Sequence, residues 1–364
     1  MHLEILIKGK PMSRQTFNIT MGSGVKNLVS GVALLKSTTT SVVITVFAHN
    51  SPMTILRYLL GSLIMVCMLS STSKGQSVPQ DVTQKAIAQF QRKSLQTTSL
   101  GDGIYLLSGD GANVVAVADP SSTLLIDSGM ASRTTELNSA VFSATHRPVT
   151  QLVDTNWHFD HTGGNMFFGT AGASIIAQSH TKTRLSSTQN VRFINLQDGP
   201  YPPQALPTIT FDDHLDLNQG SQHLRLLHIA SAHTDGDTVV FIEPANIVIF
   251  SDIFSQPFYP VIDVNSGGSL QGIIDSIERI LSATNEQTKY VPGHGPVATR
   301  ADLQTYRNML ATSEERISAM VKAGKTMDQV VAAGPIKEFD AKWGTGYVTG
   351  DVFTKMAYTS IADK

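Results

Sequence analysis

Two histidines and an aspartate lie close together in one short segment of the chain, Asn156-Trp-His158-Phe-Asp160-His161. Burying so many polar side chains in a single loop costs free energy unless they bind something. Imidazole and carboxylate are ligands for zinc, and a bound ion can activate water. In an extended segment alternate side chains point the same way, so Asn156, His158 and Asp160 would share one side. His161 would then point to a second position, which predicts two adjacent metal ions.

Three further candidate ligands follow, each beside a turn or at a strand end. His233 lies in Ala-His-Thr-Asp-Gly, Asp252 follows a predicted strand over residues 247–250, and His294 lies in Pro-Gly-His-Gly-Pro. Strand ends and glycine-rich turns are places where side chains converge on a site. Each residue alone is weak evidence, because a lone histidine is more often structural. Together and in this order they indicate a metal centre.

These residues resemble the pattern of the metallo-β-lactamase-fold hydrolase superfamily over about residues 98–300. The family pattern is His-x-His-x-Asp-His after a strand, then a His, an Asp and a His. Leu-Leu-Ile-Asp127-Ser-Gly also resembles the upstream strand and turn of the family. The resemblance implies an α/β (α+β) fold, an αββα sandwich with the metals at one edge. Members include β-lactamases, glyoxalase II, lactonases and persulfide dioxygenases, so the fold does not name the substrate.

The resemblance assigns the first metal to His158 and His233, and it makes Asp252 a carboxylate that bridges to the second metal. Asn156 departs from the family pattern, because it stands where the family usually has the first histidine. An amide oxygen is a neutral and weaker ligand for zinc than imidazole. Asn156 would therefore coordinate weakly or donate a hydrogen bond, and the first site would hold its metal less tightly.

The resemblance assigns the second metal to Asp160, His161 and His294. Two zinc ions roughly 3.5–4 Å apart can share a hydroxide and polarise a carbonyl group. Asp160 would be the catalytic residue, because it can hold the second ion and orient that hydroxide. The expected reaction is hydrolysis of a lactam, lactone, ester or thioester in a small-molecule substrate, and a β-lactamase-like activity is one case of it.

Asp127, Thr234 and Asp237 are candidates to orient the ligating histidines, as carboxylates and hydroxyls around metal sites do. The alternative for the aspartates is that a turn carboxylate only bonds local backbone. Trp157 and Phe159 are expected to pack the loop rather than to touch substrate.

Two other functions stay open. An iron-dependent persulfide dioxygenase needs one ion held by two His and one Asp, and the intact set of Asp160, His161 and His294 argues against it. A metal-binding protein with lost or weak activity is kept open by Asn156, although the sequence shows no further ligand loss.

Short apolar strands that alternate with helices are predicted to position these residues between about residues 104 and 294. Residues 188–206 contain three prolines and predict a surface loop. Phe254, Phe258 and Tyr259 follow Asp252 and could line a substrate groove. We expect a metallo-β-lactamase-fold domain over residues 98–300 and C-terminal helices packed on it over residues 301–364, with Thr326-Met-Asp-Gln329 as a capping box.

Composition excludes several other classes of protein. The 364 residues are 41% hydrophobic and 15% charged, which supports a folded core rather than a disordered chain. The formal net charge of -2 gives no basic excess for binding nucleic acid through bulk electrostatics. The one cysteine, Cys67, excludes a disulfide scaffold and an all-thiolate metal site.

Met53 opens a pattern typical of a secretory signal peptide. A short basic start precedes an apolar run over residues 58–69, and Ser73 and Gly75 suit a cleavage site. The run is shorter than the roughly 20 apolar residues of a membrane span. We therefore expect a signal peptide over residues 53–75, a periplasmic or secreted protein with no integral membrane span in the mature chain, and residues 1–52 as upstream sequence or a disordered extension.

Overall fold

The computed structural model describes residues 30–36, 41–47, 94–109, 111–191 and 196–362. The chain divides into two compact units, Met1–Gln76 and Ser77–Lys364. The predicted signal peptide and most of residues 1–52 lie outside the described residues.

In the first unit, strand β1 (Ser30–Lys36) pairs antiparallel with strand β2 (Ser41–Phe47). The sequence of this segment shows no clear strand period, so the hairpin was not expected from it. The boundary between this segment and the following residues stays a prediction.

The second unit contains the remaining strands and all the helices that the described residues form. The strands are β3 (Gln96–Gly101), β4 (Ile104–Ser108), β5 (Val114–Ala118), β6 (Thr123–Ile126), β7 (Val149–Asp154), β8 (Ser174–Gln178), β9 (Gln189–Val191), β10 (Leu196–Asp198), β11 (Ile209–Phe211), β12 (His214–Gln219), β13 (Gln222–Ile229), β14 (Asp237–Glu243), β15 (Ile247–Ser255) and β16 (Lys289–His294). The α-helices are α1 (Thr134–Thr145), α2 (Phe159–Thr162), α3 (Asn165–Thr170), α4 (Ser179–Leu185), α5 (Leu270–Ser282), α6 (Arg300–Lys322), α7 (Met327–Ala333), α8 (Asp340–Trp343) and α9 (Gly350–Ala362).

Two larger sheets carry the fold. The first has seven strands in the order β11-β8-β7-β6-β5-β4-β3, and the second has five in the order β12-β13-β14-β15-β16. Strands β6, β7, β8 and β11 run parallel to one another, and so do β15 and β16. The other pairs within these two sheets are antiparallel.

Alternation of side chains along the strands separates three apolar layers. Leu106 and Val115 of the first sheet pack with Leu226 and Val240 of the second, so this layer lies between the two sheets. The residues next to Leu106 and Val115 along β4 and β5 point to the opposite face of the first sheet, where α1 and α3 cover them. A third layer joins the outer face of the second sheet to α5, α6 and the later helices. Helices therefore cover both outer faces, which confirms the predicted αββα sandwich.

Two of the C-terminal helices, α6 and α7, begin at capping boxes. The Thr326 side chain accepts a hydrogen bond from the Gln329 backbone N–H, and the Gln329 side chain accepts one from the Thr326 backbone N–H. These two bonds confirm the predicted capping box of α7. Thr299 and Asp302 form a second capping box at the start of α6. Leu303 and Tyr306 of α6 and Phe353 of α9 are fully buried in the third apolar layer. Within the described part of the chain, no helix combines the length and the apolar character that a membrane crossing requires.

Three local predictions were wrong or incomplete. Residues 188–206 are not only loop, because β9 and β10 pair there as a small hairpin. Strands β3 and β12 were missed, since their polar, exposed residues show little apolar pattern. Strand β15 does not stop at Phe250 but continues to Ser255, past a register shift in its pairing with β16. Asp252 therefore lies within the strand and not after it.

Candidate metal centre

The two sheets bring the candidate ligands to one edge because of their strand directions. In the first sheet, β6 and β7 are parallel, so the residues that follow them, Asp127 and the segment 155–161, lie at the same end. In the second sheet, the carboxyl ends of β15 and β16 carry Asp252 and His294. Strand β14 runs antiparallel to β15, so His233, just before β14, reaches the same edge.

The segment after β7 is not extended throughout, which corrects the expectation that Asn156, His158 and Asp160 share one side. The chain bends over residues 155–158, and α2 begins at Phe159. Because Asp160 and His161 lie on this single helical turn, consecutive side chains diverge. They nevertheless belong to one donor group, which alternation alone would not have predicted.

The site residues form two groups of potential metal-ligand atoms. One group is His158, His233 and Asp252, and the other is Asp160, His161 and His294. Within each group the ligand atoms lie within 4.8 Å of one another. The structure thus divides the six residues in the way that the resemblance implied, and their role as ligands stays a prediction.

Asp252 lies between the two groups. Its Oδ2 is 3.0 Å from His161 Nε2 and 3.4 Å from His233 Nε2. Its Oδ1 is 3.2 Å from His294 Nε2, and Asp160 Oδ2 is 3.4 Å from that same nitrogen. This carboxylate is therefore the one that could contact metal ions in both groups.

Three imidazoles present the same nitrogen to Asp252. Nδ1 of His161 faces Asp127 Oδ2 at 2.8 Å, Nδ1 of His233 faces the Val261 carbonyl at 2.9 Å, and Nδ1 of His294 faces the Gly111 carbonyl at 3.1 Å. An acceptor at Nδ1 fixes the tautomer in which Nε2 carries the free lone pair. Three histidines are thus oriented with Nε2 towards the centre.

Opposite charges in this centre shift the pKa values of both Asp252 and His161. Burial favours the neutral carboxyl of Asp252, but His161, His294 and His233 outweigh it and hold its pKa well below the usual range. Burial likewise favours neutral imidazole in His161, but Asp252 and Asp127 raise its pKa well above the ordinary value. The Asp252 carboxylate and the His161 imidazole therefore each favour the charged form of the other.

Of the residues expected to orient ligands, Asp127 contacts a ligand side chain directly. It faces His161, and its other bonds come from the backbone and hydroxyl of Thr155. Asp237 acts on the backbone instead: its Oδ2 accepts from the N–H groups of His233 and Thr234. The Thr234 hydroxyl donates to Asp237 Oδ1, so Thr234 and Asp237 together fix the turn that carries His233. Burial raises the pKa of Asp237 to about 6.

Asp263 is a supporting residue that the sequence did not reveal. Its Oδ2 lies 3.2 Å from Nε2 of His158, and both side chains are almost fully buried. Asp263 follows no recognisable motif and lies far along the chain from His158, so only the folded loop after β15 brings them together. Burial would raise the pKa of Asp263, but the bond to His158 lowers it overall.

Asn156 uses both ends of its amide for hydrogen bonds within the protein. Its Oδ1 accepts from the His158 backbone at 2.7 Å, which requires oxygen rather than nitrogen at that place. Its Nδ2 therefore faces Ser251 Oγ at 3.0 Å and Asp252 Oδ2 at 3.3 Å. Of the two roles that the sequence left open, this arrangement supports hydrogen-bond donation over coordination.

The backbone around Asp252 is tightly constrained. Ser251 has φ +53°, a left-handed conformation that is uncommon outside glycine. Its hydroxyl lies 2.7 Å from Thr155 Oγ1, which links β15 to the segment after β7. Gly293 of β16 passes so close that an added Cβ would lie 2.3 Å from Asp252 Oδ1. Glycine is therefore required at position 293 for Asp252 to keep its position.

The donor set fits a metal ion. His233 Nε2 is buried and forms no hydrogen bond within the described part of the chain. A buried nitrogen without a partner is rare in native proteins and calls for an explanation such as a bound ion. Imidazole nitrogens with carboxylate oxygens are a preferred ligand set for zinc.

A cavity of about 890 Å³ opens beside the centre, with His158, Asp160, Asp252 and His294 in its wall. Phe258 and Tyr259 line it, as expected, but Phe254 is buried in the core instead. Phe159 packs against the cluster of Trp157, Leu185 and Val191, as expected, and it also lines the cavity. Trp157 does pack internally, against Leu185 and Val191.

The comparison with known families is decisive for the fold. The family model described as the metallo-beta-lactamase superfamily matches residues 107–294, which include the whole centre. The chain belongs to the metallo-beta-lactamase superfamily. Membership of this superfamily supports a metal-dependent hydrolase that acts on a small-molecule substrate.

Solved structures of superfamily members resemble the chain in fold. A metallo-beta-lactamase from Pontibacter korlensis superposes with a TM-score of 0.51 at 19% identity, covering 60% of this chain and 99% of that one. The DIM-1 metallo-beta-lactamase gives a TM-score of 0.49 at 18% identity, covering 60% of this chain and 98% of its own. At 19% identity the likeness to the Pontibacter korlensis protein is one of fold and not of substrate.

Proposed function

We propose that this chain is a zinc-dependent hydrolase with a two-metal centre that cleaves an ester, lactone, thioester or lactam. The observation that carries the proposal is the position of Asp252, which lies between two complete donor groups in the wall of a cavity. His158 and His233 would hold the first ion, Asp160, His161 and His294 the second, and Asp252 both. When bound, zinc lowers the pKa of water from about 15.7 to near 7 and polarises a carbonyl group.

Residues of the chain would orient the attacking water and hold the ligands in the proposed reaction. Asp160 lies in the cavity wall, where its carboxylate can orient the attacking water towards a substrate carbonyl. Asp127 and the two carbonyls that face Nδ1 hold three imidazoles in the orientation needed for ligation. Asn156 and Ser251 fix Asp252, so the donor set needs little rearrangement when metal enters.

The second donor group is what supports this proposal over the iron-dependent persulfide dioxygenase. A dioxygenase with one ion held by two His and one Asp would leave Asp160, His161 and His294 without a role. The supporting bonds to His161 and His294 are as complete as those to His158 and His233. The same completeness supports an active enzyme over a metal-binding protein that has lost activity.

Metal analysis combined with a substrate screen tests the proposal. Purified protein is assayed for zinc, iron and manganese, then for hydrolysis of lactones, aryl esters, thioesters and β-lactams before and after chelation. The variant His233→Ala should lose metal and activity, whereas His180→Ala, at an exposed histidine away from the cavity, should keep both. Bound iron with persulfide-dependent oxygen uptake would contradict the proposal, and so would zinc without any hydrolysis.

Localisation is a further part of the proposal. We propose export to the periplasm or the medium, supported by the basic, apolar and small polar pattern of residues 53–75.

A further inference from the structure

A segment of the C-terminal helical region forms part of the cavity wall. Thr345, Gly346, Tyr347 and Val348 lie between α8 and α9 and line the cavity together with metal-centre residues. These residues lie outside the part of the chain that matches the superfamily, residues 107–294. This part of the cavity wall therefore comes from the C-terminal helical region and not from the matched region.

Aromatic and aliphatic side chains dominate this side of the cavity. Phe258, Tyr259 and Tyr347 line it, Phe159 lines it from the ligand segment, and Val348 adds an aliphatic surface. Among the described lining residues, the charged side chains are Asp160 and Asp252 of the metal centre, together with its histidines. Uncharged polar residues such as Gln96, Asn113 and Gln256 also line the cavity. We call the set of aromatic and aliphatic lining residues the Tyr347 wall (Phe159, Phe258, Tyr259, Tyr347 and Val348).

Contacts hold the Tyr347 wall in place. Tyr259 donates its backbone N–H to the Trp343 carbonyl at 2.9 Å and its hydroxyl to Asp340 Oδ1 at 3.0 Å. Its ring stacks on Phe353 of α9 with the ring centres 4.8 Å apart and the planes 9° from parallel. At Gly346 an added Cβ would lie 2.4 Å from the Phe258 ring, so the C-terminal segment lies directly against that ring. The wall is therefore a fixed surface against which a substrate group can pack.

We propose that the Tyr347 wall selects substrates whose acyl group is uncharged and apolar, and that it disfavours acyl groups that end in a carboxylate. The proposal rests on the hydrolase function proposed above, because it assigns the acyl group of the substrate to this wall. Apolar surface that moves from water to such a wall contributes favourable free energy in proportion to its area. A carboxylate placed there loses its hydration without gaining a cationic partner from the wall residues.

A matched pair of esters tests the preference. p-Nitrophenyl hexanoate and the mono-p-nitrophenyl ester of adipic acid share the leaving group and chain length, and they differ in a terminal methyl against a terminal carboxylate. We expect kcat/KM for the hexanoate to exceed that for the adipate by roughly tenfold or more. Equal values, or a preference for the adipate, would overturn the proposal.

Variants assign the preference to the wall. Tyr347→Ala should raise KM for the hexanoate several-fold with little change in kcat, and should raise KM for p-nitrophenyl acetate, whose acyl group has less apolar surface, by a smaller factor. Tyr347→Phe should keep wild-type KM, because the ring and not the hydroxyl makes the surface. Phe142→Ala removes an aromatic side chain that is 54% exposed and lies away from the cavity, and it serves as the matched control. Equal effects of Tyr347→Ala on acetate and hexanoate would contradict the assignment.

A binding measurement separates this inference from the proposed function. Calorimetry with the anilide of hexanoic acid and the monoanilide of adipic acid, which are resistant analogues of the esters, needs no turnover. The hexanoic anilide should bind wild type about tenfold more tightly than the adipic one, and Tyr347→Ala should reduce that ratio. If no ester is hydrolysed but this ratio holds, the proposed function fails and the wall preference stands. If esters are hydrolysed but the ratio is near one, the wall preference fails and the hydrolase stands.

Discussion

The side-chain nitrogen of Asn156 lies 3.3 Å from Oδ2 of Asp252, the carboxylate between the two donor groups. The amide oxygen already accepts a hydrogen bond from the His158 backbone N–H, so the amide cannot rotate by 180° without losing that bond. In the family pattern a histidine stands at this position. The asparagine in this orientation instead holds Asp252, the carboxylate that both proposed metal ions would share, in place.

Removing the amide should weaken the centre without deleting a ligand. In Asn156→Ala the Asp252 carboxylate loses one donor, and the buried His158 N–H loses its acceptor. We expect zinc affinity to fall by about 10–100-fold, the usual effect of losing a group that orients a ligand. Competition with a chromogenic chelator measures the affinity. An unchanged affinity would show that Asn156 does not position Asp252.

Asp263 gives an independent test of the supporting bonds. Asp263→Ala removes the carboxylate that faces Nε2 of His158 and should lower zinc affinity by about 10–100-fold. Asp275→Ala, at an exposed position on α5, is the matched control and should bind zinc like the wild type. Equal zinc affinities in the two variants would show that Asp263 does not support zinc binding.

Gly293→Ala tests the close approach of β16 to Asp252. The added methyl group would lie 2.3 Å from Asp252 Oδ1 and 2.7 Å from the backbone of Ser251, in a buried region that cannot expand. Such overpacking costs about 1–3 kcal/mol of unfolding free energy. We also expect zinc binding to be lost, because the carboxylate must move.

The control for this substitution is Gly324→Ala, which places a methyl group in open space but at φ +73°, where alanine is strained. It should lower stability and keep the full zinc content. Zinc content that falls equally in both variants would mean that general destabilisation, and not displacement of Asp252, is responsible.

The pH dependence of the metal-free protein follows from His161. Burial opposes its charge, yet Asp252 and Asp127 raise its pKa well above the ordinary 6.5. Above about pH 6.5 the unfolded chain has released this proton while the folded protein still holds it. The stabilisation is therefore complete below pH 6.5 and is lost as pH rises through the folded-state pKa.

We expect the unfolding free energy of the metal-free protein to decline above about pH 6.5, and to decline less in Asp252→Asn. Urea unfolding at a series of pH values measures both slopes. Identical slopes in the two proteins would contradict the coupling of His161 to Asp252. Zinc affinity should rise over the same pH interval, because the metal must displace the His161 proton.

Export can be tested through residues 53–75. When the gene is expressed in a Gram-negative host, protein from the periplasmic fraction should begin near Gln76 by N-terminal sequencing. Deletion of residues 58–69 should leave uncleaved protein in the cytoplasm. Full-length protein that starts before residue 53 and remains in the cytoplasm would overturn the signal-peptide prediction.

Much of the fold was predictable because the strands in its interior have a clear apolar pattern. Strand β6 consists of buried residues that are apolar after Thr123, and helix α5 has buried apolar residues at helical spacing, so both elements are evident in the sequence. Strands β3 and β12 could not be predicted, because edge strands with exposed polar residues lack that apolar pattern. The continuation of β15 to Ser255 could not be predicted either, because it depends on pairing with β16 across a register shift.

The candidate site was predictable in its residue types and not in its local geometry. His158, His161, His233 and His294 were evident because each lies in a distinctive turn or motif. The orientation of Asn156 depends on a bond to its own loop and on Ser251, which is distant in sequence. Asp263 has no local signal at all. Contacts between segments that are far apart in the chain decide these features, so a single sequence does not reveal them.

The proposed centre would hold two metal ions that share Asp252, without Asn156 as a ligand. Elemental analysis of zinc per chain at saturating zinc, in wild type and in Asn156→Ala, tests this proposal. We expect two zinc ions per chain in both proteins, with weaker binding in the variant. One zinc in the wild type would contradict the two-metal centre, and a fall from two to one in Asn156→Ala would show that Asn156 is itself a ligand.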